Sequence, residues 1–225
     1  MKKISLASLL PFRANRVIKN LVKVNVAFWS GWGFVSPLLA VFIVEKINGG
    51  SATVVGIATA IYWLTRSILR IPIGLYLDDN EGEEDDYWFL FFGAVLVSVV
   101  FFGYMMATLP RHIYFLQVVF SLGMVLYEAG MIAIFTRHID KGKESTEWGI
   151  DSTISGIGIG LAGGMSGLLI GKYGFETVFT LGGILTVISA SLLFILARVI
   201  LPRDTGRSNG KRVFIKNQFY SQDLR

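Results

Sequence analysis

Six apolar blocks dominate this chain, and they decide what it can fold into. They run over residues 24–45, 53–77, 87–108, 112–136, 149–171 and 177–201, with short polar hinges between them. Each is about as long as the roughly 20 residues a helix needs to cross about 30 Å of hydrocarbon. Lipid offers no partner to a peptide N–H or C=O, so each block must satisfy its backbone internally, as a helix. Charged residues make up only 16% of the chain, well under the roughly 25% of an ordinary soluble domain. The expectation is an all-α membrane protein: an N-terminal segment over 1–23, a six-helix transmembrane domain over 24–201 and a basic tail over 202–225. The chain has no cysteine, so disulfides and thiolate metal sites are excluded.

A formal net charge of +5 would fit a nucleic-acid partner as well as a membrane. The placement of the charges decides for the membrane. With the N-terminus inside, sixteen Lys and Arg lie on the cytoplasmic side, in the N-terminal segment, the hinge after block 4 and the tail. Three lie outside (Lys46, Arg111 and Lys172), and the remaining two, Arg66 and Arg70, sit inside block 2. This bias predicts both termini in the cytoplasm, in a plasma (inner) membrane, with no nucleic-acid partner. The start "MKKISLASLLPF" has a basic end and a short apolar run, but Pro11, Arg13 and Arg16 break it and no A-x-A site follows. It reads as a cytoplasmic segment rather than a cleaved signal.

The blocks fall into two similar sets of three. Block 1 carries Asn25, Trp29, Trp32 and Ser36 at i, i+4, i+7 and i+11; block 4 carries Gln117, Ser121, Met124 and Glu128 at the same spacing. Each set forms one helical face. Block 2 ends "GLYLDDNEG" and block 5 ends "GLLIGKYG". One of these ends lies inside and the other outside, as in an inverted 3+3 repeat.

Three stretches carry a family resemblance. Block 1, "FWSGWGFVSPLLAVFIVEK", has a proline past its midpoint. Block 2, "VGIATAIYWLTRSILRIPIGLYLDD", runs into a G-x-x-x-D signature at Gly74 and Asp78. The third stretch is "TRHIDKGKESTEWGIDSTISGIGIGLAGGMSGLLIGKYGFETVF". Over about residues 20 to 200 the chain resembles one half of a major facilitator superfamily transporter. It departs from that pattern after Asp78, where Asp79, Glu83, Glu84, Asp85 and Asp86 replace basic residues. It also lacks the usual arginine of helix 4 and the proline of helix 5. The resemblance implies a secondary active transporter working by alternating access. Members usually have twelve helices in two halves of one orientation, and a half-size chain can copy that by pairing with itself. A parallel homodimer with the substrate cavity at the subunit interface is therefore expected. The alternatives are a non-transporting membrane scaffold or assembly partner, and a half-transporter in a heterodimer.

Measured from Asp78 at the inner end of helix 2, Arg70 lies about 12 Å deep and Arg66 about 18 Å deep. Tyr62 sits one turn further out on the same face. Charges at such depth must face a partner or water. Glu128, eight residues from the inner end of helix 4, shares the depth of Arg70 and lies on a helix that is its neighbour in the family fold. Two readings stand: an Arg–Glu pair that only fixes packing, or a charged cavity wall. Two arginines against one glutamate leave a positive surplus suited to an anionic solute, and Glu128 is a candidate site for proton coupling. No other cofactor is expected.

Asn25, Trp29, Trp32, Ser36 and Gln117 would complete the cavity, since helices 1 and 4 line it in the family. Tryptophans with amide and hydroxyl groups suit an amphipathic ligand. In block 5, Gly156, Gly160 and Gly164 form one ladder and Gly163, Gly167 and Gly171 another, allowing close helix contact. The G-x-G-x-x-G at Gly158, Gly160 and Gly163 lacks the preceding strand of a nucleotide site. The resemblance makes Asp78 a carboxylate that docks on a helix N-terminus of the other half, here the partner's helix 5, with Arg137 as a second contact; residues 81–86 read as a solvated acidic hairpin. With no nucleophile–base pair, metal cluster or phosphate loop, an enzyme is not expected.

Overall fold

The computed structural model describes residues 15–80 and 82–201, and all the regular structure among them is helical. The N-terminal segment read over 1–23 and the tail over 202–225 lie mostly outside those residues. Helix α1 (Arg16–Val35) starts well before the expected residue 24, because Asn15 caps it by accepting from the Val17 N–H at 3.2 Å. The first crossing is then interrupted. Pro37 has no N–H to give, so the helix stops at Val35 and resumes as α2 (Leu39–Lys46). Helix α3 (Ala52–Asp79) is capped by Ser51, whose hydroxyl accepts from the Val54 N–H at 3.3 Å. Helices α4 (Glu84–Met106) and α5 (Pro110–His138) follow, the latter with proline in its first turn, where a missing N–H costs nothing.

The last element, α6 (Glu144–Ile200), takes up both of the final two apolar blocks. By length and composition the described residues therefore hold five helices able to cross a membrane, rather than six separate ones. The physical reason is the shortness of the hinge. A single residue, Gly174, leaves the helical conformation, at φ 78° and ψ 179°, a backbone state that costs glycine little. That one residue turns the chain round. On one side of it, Gly158 lies against Ser30 and Ile159 and Ala162 against Gly33; on the other, Gly182 and Thr186 lie against Gly31, and Ser189 against Val24. The first arm thus runs parallel to α1 and the second antiparallel to it.

Contacts sort the connections into two ends. The Asp86–Arg137 ion pair and the approach of His138 to Glu83 at 3.5 Å put the α3–α4 and α5–α6 hinges together. The Asn48 N–H donates to the Thr108 carbonyl at 3.0 Å, and the Phe42 and Phe175 rings meet at 5.3 Å, which gathers the other hinges and Gly174 at the opposite end.

Lipid tails are as apolar as leucine, so helices in a bilayer associate through close packing and hydrogen bonds rather than by escaping water. Both devices are present. A Cβ on Gly93 would lie 2.3 Å from the Tyr127 nitrogen, so α4 and α5 touch backbone to backbone there. The same holds where Gly31 of α1 meets the Gly182 carbonyl, 2.7 Å from a Cβ on Gly31. Ser98 donates to Thr186 at 2.9 Å, and Ser189 to the Val24 carbonyl at 2.8 Å, tying the second arm of α6 to α4 and α1. The glycines expected to bring helices together behave differently. Gly156, Gly160, Gly164, Gly167 and Gly171 meet no atom of another helix within 4 Å, and only Gly163 of the two ladders lies near one, at α1.

Gly93→Ala should therefore destabilise the detergent-solubilised protein by about 1–3 kcal/mol through overpacking, read as a lower unfolding temperature. Gly164→Ala should leave the isolated chain unchanged. A Gly93→Ala variant as stable as the native chain would refute this account of the α4–α5 contact.

Candidate functional site

The Ser121 hydroxyl donates to the Tyr62 carbonyl at 3.0 Å and so fixes the register of α5 against α3. In that register Glu128 lies between Arg66 and Arg70. The carboxylate is engaged mainly by Arg66. Arg66 Nη2 donates to both carboxylate oxygens, at 2.8 and 2.5 Å. Arg70 Nη1 reaches Glu128 Oε2 at 3.2 Å. Arg70 thus reaches Glu128 as expected, but Arg66 is the main partner: depths counted from separate helix ends do not fix the register of one helix against another. The second Nη of Arg66 donates to the Tyr62 hydroxyl at 2.9 Å, and its guanidinium lies 5.1 Å from the Trp63 ring. Arg66 is held on every side. Arg70 keeps 53% of its side chain exposed, although it sits about 13 Å from the end of α3.

Two cavities meet at this pair. One, of about 400 Å³, is bounded by Asn25, Trp29, Arg66, Arg70, Glu128 and Asp151 among others. The second, of about 500 Å³, is bounded by Trp29, Trp32, Ser36, Tyr62, Arg66, Gln117 and Glu128 among others. Trp29, Arg66 and Glu128 belong to both, so the ion pair stands where the two cavities join. Every residue expected to line the cavity borders one or both. Gln117 is buried, and its carbonyl accepts from Ser121.

The first cavity also holds groups that the reading of the sequence passed over. Asn25 does not face open space. Its amide donates to Asp151 Oδ2 at 2.6 Å, and its oxygen accepts from the Tyr127 hydroxyl at 3.0 Å. Tyr127 stacks on Phe28 with centroids 3.5 Å apart. Asp151, Ser155 and Trp148 come from the first turns of α6. Asp151 was open to the argument applied to Arg66, since it is a charge inside an apolar block. Its nearness to the block's start hid it.

The acidic hairpin is only partly solvated. Asp86 is 1% exposed and paired with Arg137, which also donates to the Gly82 carbonyl. The expectation of a free acidic run thus fails at Asp86, because the first turn of α4 packs against the basic last turn of α5. Arg137 is accordingly engaged within the chain. Asp78 is exposed, with no polar partner among the described residues, and borders a small cavity of about 160 Å³ with Arg70, Gly74 and Glu128. Among the described residues no group of three or more His, Cys, Asp and Glu side chains could hold a metal.

Long apolar helices enclosing charged and amide side chains define an integral membrane protein with a polar interior. The chain belongs to the major facilitator superfamily, a family of membrane transporters, whose model matches residues 24–221. No curated protein matches it.

Breaking a buried ion pair strands the remaining charge, whereas replacing both partners by apolar residues is close to neutral. Arg66→Met should lower stability by up to about 3 kcal/mol, with Arg70 compensating Glu128 in part. Arg66→Met/Glu128→Leu should recover most of that loss in thermal unfolding. A single variant as stable as the native chain would show that Arg70 alone suffices for Glu128.

Proposed function

We propose that this protein is a secondary active transporter of a small solute, anionic or amphipathic, that works as a parallel homodimer by alternating access. The observation that carries the reading is Arg70: half-exposed, deep within a membrane-spanning helix, and beside the cavities of about 400 and 160 Å³. A guanidinium cannot face lipid there, so that side of α3 borders water or a second subunit. The surrounding surface fits a second subunit. Few residues of α3 are buried within the chain, and the glycine-bearing face of the first α6 arm is open. Both would meet their counterparts across the dimer axis, closing the two cavities into one path with Arg66, Arg70 and Glu128 on its wall.

We further infer that the arms of α6 are two crossings, making six in a 3+3 inverted repeat, with both termini on the cytoplasmic side of a plasma membrane. The positive-φ glycines support this. Gly49 and Gly142 occupy matching hinges, as do Gly82 and Gly174, and their spacing agrees within one residue with that from Asn25 to Gln117. In this arrangement Asp78, at the end of α3, is free to cap the partner's α6 N-terminus, where a helix dipole favours a carboxylate.

The chain has no cysteine, which makes the test direct. Gly164→Cys should crosslink into a dimer in native membranes, and reporters on the two subunits should read one orientation. Only monomers, or opposed orientations, would sink the homodimer. With the dimer retained, Arg66→Met/Glu128→Leu should lose solute flux in vesicles; full flux would reduce the pair to a packing device.

A further inference from the structure

The first arm of α6 carries a file of buried oxygen atoms that neither packing nor the Arg66–Glu128 pair accounts for. Glu147, Asp151 and Ser155 lie at i, i+4 and i+8, on one face of the helix. They are 1%, 4% and 5% exposed. Each has a buried side-chain oxygen with no hydrogen-bond partner: Glu147 Oε1, Asp151 Oδ1 and Ser155 Oγ. Buried polar atoms are nearly always paired, so three unpaired in sequence on one face call for a role.

The file has direction. Glu147 lies in the first turn of α6, at the hinge, where its Oε2 accepts from the Asp140 N–H at 3.3 Å. Asp151 and Ser155 border the 400 Å³ cavity. The row therefore runs from one end of the bundle to the cavity that holds Arg66, Arg70 and Glu128.

We propose that Asp151 is a proton-binding site, loaded through Glu147, and that its proton sets the charge of the cavity. The two intramembrane carboxylates differ in their neighbours. Glu128 is held by two guanidinium groups. Among the described residues Asp151 is paired with no cation: its one donor is the neutral Asn25 amide at 2.6 Å, oriented in turn by the Tyr127 hydroxyl. The charged and titratable groups around it are Arg66 and Arg70 on α3, both engaged with Glu128; Glu128 and Tyr127 on α5; and Glu147 on its own helix. Lys143, beyond Glu147, is paired with Asp140. A carboxylate buried without a counter-charge is the group that most readily exists neutral.

The charge count then acquires a meaning. With Asp151 ionised, two arginines face two carboxylates and the cavity is neutral. A proton passing from solvent to Glu147 and on to Asp151 Oδ1, with no other bond changed, leaves one positive charge in excess. That excess favours an anionic solute, so proton and anion would bind together. This coupling rests on the transporter reading, but the proton site does not.

The site is tested on the purified full-length protein in nanodiscs, by infrared difference spectroscopy between acidic and alkaline buffer. The expected result is a protonated-carboxyl C=O band that loses one carboxyl per chain in Asp151→Asn and is retained in Glu128→Gln. Glu147→Gln should keep the band but slow its rise after a pH jump. If Asp151→Asn does not fold, Asp151→Glu should shift the band's frequency. A band unchanged in Asp151→Asn or in Asp151→Glu, or one lost with Glu128→Gln, overturns the proposal. An Asp151 band in a protein that moves no solute would keep the site and defeat the transporter reading; pH-driven flux without that band would do the reverse.

Discussion

A charged side chain in hydrocarbon is costly unless it meets a partner or water, and the architecture around α3 follows from that constraint. Arg66 is satisfied within the chain by Glu128 and the Tyr62 hydroxyl. Arg70 is satisfied only in part. Helix α3 is therefore bound to α5 along one side and obliged to leave its other side toward something other than lipid. The two cavities, the bare apolar flank of α3 and the open glycines of α6 lie where that obligation falls.

The rest of the bundle is held by the means a bilayer permits. Backbones approach closely at Gly93 and Gly31, and hydroxyls bridge helices at Ser98–Thr186 and Ser189–Val24. These contacts concentrate on the side formed by α1, α4, α5 and the second arm of α6. The first arm of α6 joins the same framework through Gly33 against Ile159 and Asn25–Asp151, whereas α3 is held mainly by α5, through Ser121–Tyr62 and the Arg66–Glu128 pair. On the proposed reading, the exposed flank of α3 is where a second subunit would pack.

The cavity holds two kinds of carboxylate. Glu128 is held by two arginines. Among the described residues Asp151 is met only by the neutral Asn25 amide. On the reading proposed here, the first supplies structure and the second supplies a switch. Asp151 itself borders the cavity, and the buried oxygens of Glu147 and Ser155 flank it along the helix.

Much of this was legible in the sequence. The lengths of the apolar blocks demanded membrane helices, because backbone groups have no partners in lipid. The i, i+4 spacing of Arg66 and Arg70, with Tyr62 a turn away, put them on one face, and Glu128 was identified as the counter-charge from its depth. The matching faces of blocks 1 and 4 were implied as cavity lining by the family resemblance; of their residues Ser121 borders neither cavity, being buried against α3, and the others border one or both. What the sequence could not decide was set by tilt, register and turning angle. Which arginine holds Glu128 depends on the register of α5 against α3, marked by the Ser121–Tyr62 contact. That Asn25 faces Asp151 and Tyr127, and that Asp86 is buried against Arg137, depends on which helices are neighbours. Helical periodicity tells which residues share a face. Only packing in three dimensions tells what that face meets, because the contacts join residues far apart in the chain and no local pattern encodes them.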